Sequence, residues 1–161
     1  MATLTTLDFV TRLAVGAACG TVLGLERQWR ARLPSLRTNA LVATGATLFV
    51  LYSVVVVDIG SPTRVASYVV SGVGFLGAGV LIKDGASVRG LNTAATIWCS
   101  AAVGCLAAAG QLAFAAIGTA AVMLVHLLLR PVGHVVERTT PVLHERRGRF
   151  RSCDQERDRV R

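Results

Sequence analysis

The chain has 161 residues, is 53% hydrophobic and only 16% charged, and carries a formal net charge of +8. Its charges fall in clusters between long apolar runs, which excludes an ordinary water-soluble domain. The basicity, which in a soluble protein would suggest nucleic acid, has a topological explanation instead, and no nucleic-acid partner is expected.

Crossing a bilayer takes ~20 mostly apolar residues for a ~30 Å hydrocarbon core. Five segments reach or approach that length: Leu7–Leu25, Ala40–Val57, Val65–Ile82, Leu91–Gly110 and Leu112–Leu129. The first contains Asp8 and Arg12 near its start; the other four hold no charged residue. Arg27, Arg30, Arg32 and Arg37 lie between the first two spans, Lys83 and Arg89 between the third and fourth, and nine arginines follow the fifth. Only Arg64 and the embedded Arg12 fall on the other side. Short loops rich in Lys and Arg stay in the cytoplasm. The expected fold is therefore an all-α membrane protein, a five-helix transmembrane bundle over residues 1–130 with the N-terminus outside and the C-terminus cytoplasmic. Residues 131–161 have few apolar anchors and read as a basic cytoplasmic tail, disordered or adsorbed on lipid. No basic region precedes the first span, so a cleaved signal peptide is not expected.

In the first span, Asp8 and Arg12 are four residues apart and share a helix face. Ionised groups inside a bilayer are costly and are usually paired or functional. Two readings stand: an internal ion pair fixing the outer end of the helix, or, with Asp58 and Arg64, a polar cluster that senses an external ion or docks a partner. At the inner end, Glu26-Arg27-Gln28 closes the first span and Leu36-Arg37-Thr38-Asn39 opens the second, with Arg37 a candidate partner for Glu26 across the loop. Val54 to Val57, at the outer end of the second span, suit a lipid-facing surface.

The third span contains Gly72-Val73-Gly74-Phe75-Leu76-Gly77-Ala78-Gly79. The string matches G-x-G-x-x-G, but the strand and βαβ context of a dinucleotide site are absent. In lipid, small residues instead let helix backbones approach closely. Gly72 and Gly79 share one face, and Gly74 and Gly77 lie roughly opposite, so all four are expected to pack against neighbouring helices. Asn92 and Thr93 are expected to cap the fourth helix. The short turn at Gly110-Gln111 makes the fourth and fifth helices an antiparallel hairpin. The fourth helix carries a row of small or flat positions, Ala94, Trp98, Ala101, Cys105 and Ala108, and the fifth offers Ala116 and Ala120, so a compact bundle packed through such residues is expected.

No nucleophile–base pair is legible, and His126, His134 and His144 lie at or beyond the end of the last span. Cys19, Cys99, Cys105 and Cys153 form no C-x-x-C or Cys/His zinc pattern and read as packing residues or free thiols. Asp8 and Asp58 fall outside and Glu26 and Asp84 inside, leaving no carboxylate at the midplane, where transporter sites usually sit. The expectation is no enzyme, no cofactor and no metal site. A backbone-carbonyl path or an oligomeric pore stays open.

Several blocks together resemble the MgtC/SapB family of bacterial membrane proteins. They are Arg12 with Gly24-Leu25-Glu26-Arg27-Gln28, Leu36-Arg37-Thr38-Asn39, Arg64-Val65-Ala66, Ser71 to Gly79, and Gly90-Leu91-Asn92-Thr93-Ala94-Ala95. Asn92, with Trp98-Cys99-Ser100-Ala101-Ala102 after it, is most similar to the MgtC branch. The resemblance implies a multi-pass protein of the bacterial inner membrane, linked to growth under magnesium limitation and survival in host phagocytes. It also implies a non-catalytic regulator that restrains the F-type ATP synthase, with a magnesium or proton transporter as the alternative. Membrane lipids, a membrane complex and further copies of the chain are the expected partners. On this basis Arg12, Glu26, Arg27, Arg37, Arg64, Asn92 and Thr93 are candidate functional residues, and Asp8 joins them from its place inside the first span. Tyr68 departs from the Gln expected there. Longer members carry an ACT-like cytoplasmic domain, of which Gly148-Arg149-Phe150-Arg151 would be only the opening.

Overall fold

The computed structural model describes residues 4–31, 35–56, 62–84 and 87–139. Asp58, Arg32, His144, Cys153 and the Gly148–Arg151 segment lie outside these residues. Five helices follow one another: α1 (Thr6–Ala31), α2 (Leu36–Val55), α3 (Pro62–Gly79), α4 (Leu91–Ala108) and α5 (Leu112–Thr139). An antiparallel hairpin of β1 (Ile82–Asp84) and β2 (Ser87–Arg89) joins α3 to α4. The chain divides into two units, residues 1–123 and 124–161.

The first unit is organised by close approach of α1, α2 and α4. Gly16, Gly20 and Gly24 recur every four residues on α1, and each faces α2 with no room for a side chain. A methyl at Gly16 would strike the Thr47 hydroxyl; at Gly20 it would lie 2.7 Å from the Asn39 carbonyl oxygen, and at Gly24 2.7 Å from Leu36 Cα. On α4, Gly104 has the same role, its open face filled by the Ala43 carbonyl of α2. Three apolar clusters then fill the space around these seams. Leu23 packs with Val103, Ala107 and Ala115. Ala46 packs with Val73, Ile97 and Ala101. Val50, Leu51 and Ala108 form the third, joined by Phe9, Leu13 and Ala66. The third cluster puts the start of α1, the end of α2, the start of α3 and the end of α4 at one end of the bundle.

Among the described residues, four helices are long and apolar enough to cross a membrane: Thr6–Trp29, Leu36–Val55, Leu91–Ala108 and Leu112–Leu129. The expected third span is corrected. Its helix starts at Pro62, taking in Thr63 and Arg64, and ends at Gly79 instead of Ile82. The tight bonds Val80 N to Gly77 O and Leu81 N to Ala78 O turn the chain out of the helix and into β1. The apolar residues Val80 to Ile82 therefore do not lengthen the span.

Of the glycines on α3, Gly77 is buried and a methyl there would sit 3.6 Å from Ala94 of α4. Gly72, Gly74 and Gly79 have nothing within 4 Å, so α3 meets the rest of this chain on one face only. Of the small residues expected to pack, Ala101 and Ala108 are buried, while Ala116 and Ala120 are exposed; on α5 Ala115 and Thr119 are buried instead, and Gly118 lies against Val103 and Leu106. Trp98, also expected to pack, is 51% exposed on α4. The antiparallel hairpin itself is present. Gly110, at φ 79°, closes α4 with the bonds Gln111 N to Leu106 O and Gly110 N to Ala107 O. This is a Schellman cap, which needs a left-handed residue at Gly110's position. In the second unit the helix begun at Leu112 continues through Pro131 to Thr139, past the expected boundary at residue 130.

Candidate functional site

Two polar groups sit near opposite ends of α1, and the larger is built around Arg27. Its guanidinium is only 6% exposed and points from the last turns of α1 to the first turns of α4. Nη1 donates to the Asn92 carbonyl at 2.5 Å and to the Thr96 hydroxyl at 2.7 Å. Nη2 donates to the Thr93 hydroxyl at 2.9 Å. The planar fork of an arginine reaches all three acceptors at once, which an ammonium on a flexible stem does not. Nε is buried without a hydrogen bond. The neighbouring Glu26 attracts this guanidinium electrostatically.

From Thr96 the polar chain continues into the interior. The Ser100 hydroxyl lies 3.0 Å from the Thr96 carbonyl and 2.9 Å from Asn39 Oδ1, with a single proton to share between them. Asn39 Nδ2 donates to the Ser35 carbonyl at 2.8 Å. Thr47 completes the series, its hydroxyl lying 2.8 Å from the Ala43 carbonyl and 3.0 Å from that of Gly104. Asn39 and Thr96 are each 1% exposed, and Ser100 and Thr47 are fully buried. A buried polar group without a partner is costly, so groups arranged to satisfy one another specify how α1, α2 and α4 meet.

The expectation that Asn92 and Thr93 cap α4 is corrected. The cap is Gly90, at φ 94°, and no side chain bonds the free N–H groups there. A Cβ at Gly90 would strike the Val80 carbonyl, so this turn admits no side chain. Asn92 contributes its carbonyl and Thr93 its hydroxyl to Arg27 instead. Arg37 is exposed in the first turn of α2 and Glu26 is half-buried; both lie outside the hydrogen-bonded set around Arg27.

At the other end of α1, Asp8 and Arg12 do not behave as an ion pair. Asp8 Oδ2 accepts from the Thr5 hydroxyl at 2.6 Å and the Thr5 backbone N–H at 3.3 Å, while Asp8 N–H donates to Thr5 Oγ1 at 3.2 Å. This is a capping box with Asp in the third position, and it satisfies free donors at the helix start. Arg12 Nη1 donates to the Ala108 carbonyl at 2.9 Å, and its guanidinium lies beneath the Gly110 turn. A cation at a helix C-terminus meets unpaired carbonyls and the negative end of the dipole. Arg64 is exposed in the first turn of α3 and Asp58 lies outside the described residues, so no cluster of these four is observed. Asp8→Ala should therefore lower the melting temperature in detergent slightly, and Arg12→Ala clearly more, because only the second loosens α1 from the α4–α5 turn. Equal losses would contradict separate capping roles.

The structure thus brings Arg27, Asn92 and Thr93 together, and leaves Arg37 and Arg64 exposed. Sequence reasoning missed Ser35, Asn39, Thr47, Thr96 and Ser100. A signal for them existed: small or polar residues recur every four positions at 16, 20 and 24, at 35, 39, 43 and 47, and at 92, 96, 100 and 104. Among the described residues, no three His, Cys, Asp or Glu side chains converge as metal ligands would.

Residues 13–135 match the MgtC family. Protein MgtC of Brucella abortus is 54% identical over 132 residues, covering 78% of this chain and 56% of that protein. Protein MgtC of Salmonella typhi is 45% identical over 142 residues, covering 88% of this chain and 61% of that protein. The chain thus spans little more than half the length of these relatives. No solved structure matches it. The family match over most of the chain agrees with the order of its apolar helices: this is a multi-pass membrane protein, and it belongs to the MgtC family.

Proposed function

We propose that this protein is a non-catalytic regulator of the bacterial inner membrane that supports growth under magnesium limitation and survival within host cells. It acts by packing against a membrane complex, the F-type ATP synthase being the first candidate, and so adjusts ATP level and membrane potential. The reading rests on family membership and on one structural observation. The polar residues inside the bundle are spent on one another, from Arg27 through Thr96 and Ser100 to Asn39, and glycine seams close the space between the helices. A transporter would use such groups to meet its cargo. The transporter reading drew on Asp8 and Arg12, and both are engaged at helix ends.

In this reading α3 also crosses the bilayer. At about 1.5 Å per residue its 18 residues reach ~27 Å, close to the hydrocarbon thickness. Five crossings put the N-terminus outside and leave Glu26, Arg27, Arg37, Asn92 and the β-hairpin at the cytoplasmic end, as the distribution of Lys and Arg requires.

Purified protein in liposomes is expected to leave imposed Mg²⁺ and proton gradients intact. In cells short of magnesium, the tagged chain is expected to copurify with ATP synthase subunits. Dissipation of either gradient would establish transport; intact gradients without a membrane partner would remove the regulator.

A further inference from the structure

Between α2 and α3 the bundle leaves an open, almost wholly apolar groove of about 540 Å³. Leu41, Gly45 and Phe49 line it from α2, and Tyr68, Gly72 and Leu76 from α3. Gly45 and Gly72 have open space where a side chain would stand, so the groove is recessed because two residues lack one.

Its length identifies the kind of occupant. From Leu41 to Phe49, α2 advances ~12 Å, and α3 advances ~17 Å along the lining residues from Val65 to Leu76, at 1.5 Å per residue. That is about half of a ~30 Å hydrocarbon core, a length one acyl chain can fill. A partner helix crossing the membrane would need a seam of twice that length. The groove also has a charged mouth. Arg37 precedes Leu41 by four residues on α2, which puts it on the groove face, and its side chain is exposed. Lys83, also exposed, follows the end of α3 by four residues and adds a second positive charge at this end. Among the described residues, the opposite mouth has Arg64.

We propose that the groove between α2 and α3 holds one acyl chain of an anionic phospholipid, with the headgroup bound at Arg37 and Lys83. Here the lipid is a fixed component of the bundle surface and not solvent. A basic residue near the membrane surface is worth ~1 kcal/mol toward anionic lipid, roughly a fivefold preference.

The test is native mass spectrometry of the full chain released from detergent after titration with phosphatidylglycerol or phosphatidylcholine. The wild type is expected to retain one phosphatidylglycerol at several-fold lower lipid concentration than phosphatidylcholine. A Cβ at Gly72 or Gly45 has nothing within 4 Å, so Gly72→Leu and Gly45→Leu occupy the groove, and each is expected to lose the bound lipid while keeping the wild-type melting temperature in lipid-free detergent. Arg37→Gln is expected to retain lipid but reduce the preference about fivefold. Equal retention of the two lipids by the wild type, or unchanged binding in Gly72→Leu, overturns the proposal. Loss of the preference in Arg64→Gln but not in Arg37→Gln overturns the placement of the headgroup. A photoreactive residue at position 68 should label lipid in native membranes; labelling of protein alone would show that a second copy or a partner helix fills the groove.

Discussion

Arg27→Met is expected to loosen α1 from α4 and abolish the proposed regulatory activity, with Arg27→Lys no better. Three charge-assisted bonds are lost in the methionine variant, each contributing roughly 1.5–3 kcal/mol. Relief of the desolvation cost of a buried guanidinium offsets part of this. Thr96 is not stranded either, since its hydroxyl also donates to the Asn92 carbonyl of its own helix at 2.7 Å. A net loss of about 2 kcal/mol is a fall of roughly 4–8 °C in melting temperature for a chain of this size. Lysine keeps the charge but cannot span Thr93, Thr96 and the Asn92 carbonyl together, so it retains the desolvation cost with fewer bonds. Thermal unfolding in detergent, with growth in low magnesium as the second readout, checks the order. A lysine variant as stable and active as wild type would show that the positive charge matters and the fork geometry does not.

The second large effect is expected at glycines that the string on α3 overshadows. Gly20→Ala and Gly104→Ala each introduce a methyl where the neighbour is backbone: the Asn39 carbonyl and Ala40 Cα at Gly20, the Ala43 carbonyl at Gly104. Backbone packed within a helix cannot swing aside as a side-chain tip can. The helices must separate, at a cost of about 1–3 kcal/mol by overpacking alone. Separation at Gly104 also stretches the bond from Thr47 to the Gly104 carbonyl, leaving a fully buried hydroxyl with its local acceptor only. Gly74→Ala makes the contrast. Nothing lies within 4 Å of the added methyl, and alanine is favoured over glycine in a helix by up to ~1 kcal/mol. Melting temperatures of the three variants side by side decide the matter. Destabilisation by Gly74→Ala comparable to that by Gly20→Ala would mean that α3 is packed against something in the isolated protein.

Much of the fold was legible because lipid imposes simple rules on composition. Uncharged runs of about 20 residues had to be helices, since no other local structure satisfies its own backbone in hydrocarbon. The α4–α5 hairpin followed from the two-residue Gly110-Gln111 turn. Membership of the MgtC family was readable from short blocks in fixed order. Arg27, Asn92 and Thr93 were singled out in this way, but the contact between them was not, because 65 residues separate Arg27 from the Asn92 carbonyl it binds.

What the sequence could not decide was helix phase and the destination of each polar side chain. Hydropathy is nearly uniform around a membrane helix, so it does not say which face turns inward. Ala116 and Ala120 were as plausible a seam as Ala115 and Thr119, and Trp98 as plausible a packing residue as Ile97. Phase was set by the closest approaches, Gly16, Gly20, Gly24 and Gly104 against α2, where only hydrogen side chains fit. In the same way Asp8 and Arg12, four residues apart, looked like partners until other groups competed for them, one local and one distant. Thr5 took the carboxylate and the Ala108 carbonyl took the guanidinium. The sequence by itself determined that helices form and roughly where they run, because those are local properties of the chain in lipid. Only the tertiary structure decided which faces meet, because that depends on shape and hydrogen-bond acceptors supplied by residues far away in the sequence.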